Sequence, residues 1–214
     1  MNIQVVSTQA LSTSYNKSSR EIAIREQRAN SAPSILKIQL GDRFKHCICR
    51  RGADVWSAEN KSGQKTSIVF SIDESMMQQL QTIHENILMQ VEQNMTTLFP
   101  ESNITTLNPE MFPPMFSIDY ILGKEEFILK TMIDHPWNES ERQRIQSKQS
   151  SQFYITDVKD IGNSEKWEEA SFLELSAATR CVPIIEIPKI ACRDGVKLDY
   201  EMRLTHCLIL RNNL

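Results

Sequence analysis

Along residues 66–99 (TSIVFSIDESMMQQLQTIHENILMQVEQNMTTLF) the spacing of apolar positions changes from continuous to one in every three or four. Met76, Leu80, Ile83, Ile87, Val91, Met95 and Leu98 then fall on one stripe of a 3.6-residue helix, while Gln79, Glu85, Gln90, Glu92 and Gln93 lie largely outside it. Such a stripe needs an apolar cover. Ser71-Ile-Asp-Glu74 reads as a capping box, with acidic residues at the positive helix end, so the helix is predicted to start near Asp73.

Elsewhere the period is two. Ile3 to Thr8, Ile35 to Leu40, Phe44 to Arg51, Ser67 to Phe70, Met115 to Leu122, Glu126 to Ile133, Phe153 to Val158, Arg180 to Ile190 and Lys197 to Leu210 each read as a strand. Gly41-Asp42, Leu122-Gly-Lys124 and Asp194-Gly195 supply turns, predicting three hairpins. In the last strand Leu198, Tyr200, Met202, Leu204, His206, Leu208 and Leu210 share a face. Pro183 and Pro188 make its partner an edge strand or a bulged one. Together these elements predict an α+β fold, mostly antiparallel β in a barrel or sheet, with one long amphipathic helix packed on it. Residues 1–34 are rich in Ser, Asn, Arg and Gln and read mostly as a mobile or partner-ordered arm, leaving 35–214 as a single domain.

Charge is informative by position. The 214 residues carry a net charge of -3, yet residues 1–65 hold eleven Lys and Arg against five Asp and Glu, whereas the remainder holds thirteen against twenty-two. The first third is therefore cationic, which suits either an anionic partner such as a nucleic-acid backbone or a solvated or subunit-facing surface. Lys17, Arg20, Arg25 and Arg28 are cations of the arm that could track phosphates. The five cysteines are odd in number and the start MNIQVVSTQA lacks a secretory pattern, so reduced thiols in an intracellular compartment are expected. No apolar run approaches the roughly 20 residues of a membrane-spanning helix, so a soluble protein is expected.

Catalytic and metal motifs are missing. There is no phosphate-binding glycine loop, no G-x-S-x-G and no H-E-x-x-H, so no enzyme and no cofactor are expected. His46, Cys47 and Cys49, even with Cys181, Cys192, His206 and Cys207, do not form the paired Cys-x2-4-Cys spacing typical of zinc, and no metal is expected. Binding fares better. A single strand needs cations along its backbone and aromatic platforms for its bases, and the two ingredients adjoin where Phe44, Lys45, Arg50, Arg51, Trp56, Lys61 and Lys65 lie. Trp56 could equally pack under its loop, and Phe44 could be core. Trp137 with Arg142 and Arg144 is a second, poorer candidate.

The order of these elements resembles a family. A strand running into a long helix (IVFSIDESMMQQLQTIHENILMQVEQNMTTLF), a Gly-bearing hairpin and a closing IIEIPKI-turn-DYEMRLTHCLIL pair are similar to proteins of large nucleocytoplasmic DNA viruses and related elements. The resemblance covers roughly residues 35–210. It implies an OB-fold-like, single-stranded-DNA-binding protein of DNA replication, in host cytoplasm or nucleus if viral. The closing turn CRDGVKLDY departs from the family's glycine- and aromatic-rich turn, and no Trp follows Trp167. The expected function is thus non-enzymatic, largely sequence-independent binding of single-stranded DNA or RNA, with a homo-oligomer or other protein partners compatible with it. The alternative is a structural or assembly protein of a virion that docks through its N-terminal arm.

Overall fold

The computed structural model describes residues 11–16, 20–26, 32–51, 66–100, 104, 106–121, 123–133, 151–171, 174–193 and 197–211. The expected strand Ile3 to Thr8 lies outside them. In chain order the described elements are β1 (Leu11–Asn16), β2 (Glu21–Glu26), β3 (Ser34–Gln39), β4 (Cys47–Arg51), β5 (Thr66–Ile72), α1 (Glu74–Gln93), α2 (Met95–Leu98), β6 (Ser117–Ile121), β7 (Lys124–Ile133), β8 (Gln152–Thr156), β9 (Glu168–Ala170), β10 (Arg180–Arg193) and β11 (Lys197–Leu210).

Five of these strands close on themselves. β4 pairs β5, β5 pairs β7, β7 meets β11, β11 pairs β10 and β10 returns to β4. All the pairings are antiparallel except β7 with β11, which run parallel with Arg203 opposite Met132. Numbered along the chain, the barrel strands are joined in the order 1-2-3-5-4. This is a Greek-key barrel of OB type, and with the long helix it gives the expected α+β class. The helix enters between the second and third barrel strands.

β10 organises the ring. Its 14 residues pair with β11 along one edge and, in succession along the other, with β4, β3 and β2. β3 and β4 therefore do not form the hairpin expected around Gly41-Asp42; they lie end to end on the same partner. The ladder continues between them through the Leu40 amide, which donates to the Pro183 carbonyl at 2.9 Å, while residues 41–46 loop outward. Within the expected arm, β1 and β2 form a hairpin that joins β3 and β10 and sends Ile22 and Ile24, both fully buried, into the core. The alternation of Ile22 and Ile24 with Ala23 and Arg25 is the period-two signal of a half-buried strand.

The β10–β11 hairpin is interrupted twice, and the bulged alternative for its prolines is the one observed. Ladder pairing skips between Glu186 and Lys189, around Pro188, and Thr205 is an extra residue between Leu204, opposite Ile185, and His206, opposite Ile184. One inserted residue turns the rest of a strand over. Leu198 and Leu204 thus face the main core, as do Cys207 and Ile209, whereas Leu208 and Leu210 join Ile161 and Val182 in a second cluster beneath Tyr154, Val158 and Trp167. The single face expected for Leu198 through Leu210 ends at Thr205.

Helix α1 lays the predicted stripe on this core. Met76, Leu80, Ile83, Ile87 and Val91 are buried, and each such side chain removed from water contributes about 1.5–3 kcal/mol before entropy is counted. The cap differs from the expected box. Asp73 is the N-cap, its carboxylate accepting from the Met76 amide at 2.8 Å, while Ser71 is still in β5. His84 is buried with the stripe, its Nδ1 2.8 Å from the Tyr200 hydroxyl and its ring packed on Phe112. No described helix is long and apolar enough to cross a membrane.

Candidate nucleic-acid interface

Strand alternation gives β5 and β7 two unlike faces. Ile68, Phe70 and Ile72 of β5 point into the barrel with Leu129 and Ile133 of β7, all buried. The alternate residues form the outer wall. Ladder register aligns Ile48, Ser71, Ile128 and Ser117 in one row across β4, β5, β7 and β6, and Val69 with Lys130 and Ser67 with Met132 in the next two. This wall mixes small hydroxyls, half-buried aliphatic and thioether side chains, and an exposed ammonium at Lys130.

The loop at 41–46 stands beside the start of β4. Gly41 has φ +104°, and a Cβ there would lie 2.5 Å from the Lys45 carbonyl oxygen, so only glycine fits this turn. Asp42 fixes the rest: its amide donates to the Lys45 carbonyl at 2.8 Å, and its carboxylate accepts from the Phe44 and Lys45 amides at 2.7 and 3.0 Å. The loop is held by its own hydrogen bonds and presents Phe44, 75% exposed, with the Arg43 guanidinium 4.5 Å from the ring centroid. An exposed aromatic ring beside a guanidinium is a stacking platform with a cation attached.

The expected cations are placed unequally. Lys45 donates to the Ser75 hydroxyl at 2.7 Å and lies 3.8 Å from the Asp73 carboxylate, at the start of α1. Burial acts to raise the Asp73 carboxyl, but the Met76 amide, the Ser75 hydroxyl and the Lys45 ammonium outweigh it and hold the group below its ordinary range. Arg50, at the irregular step of the β4–β5 ladder, ion-pairs with Glu126 of β7. Arg51, the last residue of β4, pairs by its backbone with Val69. Trp56, Lys61 and Lys65 lie outside the described residues, as do Trp137, Arg142 and Arg144. Phe44 and Lys45 thus stand before the start of β4 and Arg50 near its other end, and Phe44 is surface rather than core.

Sequence reasoning missed the wall itself. Ser67, Val69, Ser71, Ile128, Lys130 and Met132 were legible only as the outward half of two strands; knowing that β5 and β7 adjoin is what makes them one surface. Among the described residues no group of three or more His, Cys, Asp or Glu could hold a metal. The thiols of Cys47, Cys49, Cys181 and Cys207 are buried, and burial pushes the Cys47 thiol well above its ordinary value.

No protein-family model matches the chain, and no curated protein does. Among the solved structures similar to it are three of the single-stranded DNA-binding protein from bacteriophage Enc34. The C-terminally truncated form aligns over 97% of this chain and 99% of its own at 10% identity, with a TM-score of 0.47. The protein in complex with single-stranded DNA aligns over 95% of this chain and 97% of its own at 10% identity and a TM-score of 0.45. A further structure of the same protein aligns over 95% of this chain and 91% of its own at 11% identity and a TM-score of 0.46.

Proposed function

We propose that this chain is a non-enzymatic single-stranded nucleic-acid-binding protein, largely indifferent to sequence, that lays its strand across the outer wall of β4, β5 and β7 beside the 41–46 loop. The observation that supports this best is the barrel order. In an OB barrel the second and third strands, with the loops joining strands one to two and four to five, form the surface that holds oligonucleotides. Here those strands are β5 and β7, and their outer face is the mixed wall of hydroxyls, aliphatic groups and Lys130. The sequence between the first two barrel strands, residues 52–65, carries Trp56, Lys61 and Lys65.

The chemistry follows from those side chains. Phosphates are met by Lys45, Arg50, Lys130, Lys61 and Lys65, an attraction blind to sequence and weakened by salt. Bases stack on Phe44 and lie against Ile48, Val69 and Met132, and since every base has a π-face such contacts are also tolerant of sequence. A duplex, whose bases are already stacked, gains little from them. This suits a protein that covers single strands during DNA replication. The assembly alternative would need the N-terminal arm free for a partner, yet Ile22 and Ile24 are packed in the chain's own core.

The test is fluorescence anisotropy of a labelled single strand of about 30 nucleotides, enough to span one or more grooves of this kind, at low and moderate salt with duplex as competitor. Salt-sensitive binding that duplex does not displace is expected. No binding at low salt would refute the reading.

A further inference from the structure

Glu126 places a carboxylate on a wall proposed to receive an anion. Its Oε2 accepts from Arg50 Nη2 and from the Ser71 hydroxyl at 3.0 Å, so β4 and β5 each send one donor to a single oxygen held out by β7. A guanidinium and a hydroxyl converging on one anionic oxygen form the donor set with which proteins grip phosphate oxygens. The side chains are 37% and 21% exposed for Arg50 and Glu126, open enough to exchange the partner for one from solution. Ion pairs at such exposure contribute little to folding.

We infer that Arg50 and Ser71 form a phosphodiester subsite which the chain's own Glu126 occupies until a strand phosphate displaces it. The inference rests on the single-strand-binding reading. Glu126 then acts as a built-in competitor: every bound strand must first expel it, so affinity is lower than the cations alone would give. No bond is made or broken in the exchange, only one oxyanion replaced by another on the same two donors.

Four proteins separate the outcomes: the wild type, Glu126→Gln, Arg50→Ala and the double variant, each titrated into labelled oligothymidine across a salt series. Removing the competing charge is expected to tighten Glu126→Gln about 3- to 10-fold at low salt. Losing the phosphate contact in Arg50→Ala should make the slope of log affinity on log salt shallower by about 0.7, the value for one contact on a single strand. In the double variant the gain should vanish, because Arg50 is what the phosphate reaches. Binding by the wild type with Glu126→Gln no tighter overturns this inference alone. A wild type that does not bind overturns the functional reading, and this inference with it. Should Glu126→Gln fail to fold, Ser71→Ala serves instead: it removes one donor and is expected to weaken binding several-fold, and unchanged affinity would refute the subsite.

Discussion

The two faces of β5 and β7 are built from alternate residues of the same strands and obey different rules. Inward, Ile68, Phe70 and Leu129 are almost wholly buried, and each is specified by volume. Outward, Ser67, Val69, Ser71, Ile128, Lys130 and Met132 are partly or fully exposed and specified by what they can touch. With the proposed interface on the outer wall, stability and recognition would be separated by a single residue step. Substitutions on one face should act on unfolding, and on the other they should act on the ligand.

The largest effect to expect is on the inner face. Phe70→Ala removes a fully buried ring from the barrel and should cost about 3–5 kcal/mol of stability, read by denaturant unfolding. A loss under 1 kcal/mol would mean that the barrel is not packed there. On the outer side, Phe44→Ala removes the proposed stacking platform and should weaken single-strand binding by about 1–3 kcal/mol. Its unfolding free energy should stay within about 0.5 kcal/mol of wild type, as for most surface changes; a large stability loss would instead make Phe44 a structural residue.

The sharpest probe of the boundary is Thr131. It lies on the inner face of β7, fully buried, and among the described residues its hydroxyl finds no hydrogen-bond partner. Thr131→Val keeps the shape and removes the stranded group, so unfolding should become harder by about 1 kcal/mol with strand affinity unchanged. Destabilisation would reveal a partner for the hydroxyl, and a change in affinity would join the two faces.

Local patterns foretold local structure. The 3.6-residue stripe from Met76 to Leu98 and the hairpin over Asp194-Gly195 were legible because each depends on neighbours in the chain. Closure of the barrel was not, because Met132 meets Arg203 through tertiary packing that leaves no mark on the period of either strand. The extra residue at Thr205 was equally hidden: regular alternation runs straight through it, and only the opposing strand shows where the register slips. The same division holds at the interface. Phe44 and Arg50 could be picked out as an aromatic and a cation near one turn, but that Arg50 would face Glu126 depends on strands far apart in sequence.

The most direct test of the account is photo-crosslinking of an iodouracil-substituted single strand to the folded protein, with the attached peptides identified by mass spectrometry. Binding across the outer wall predicts attachment within residues 41–51, 66–72 and 117–133, with Phe44 and Met132 the favoured points. Attachment confined to β8 and β9, on the far side of β11 from β7, would contradict it.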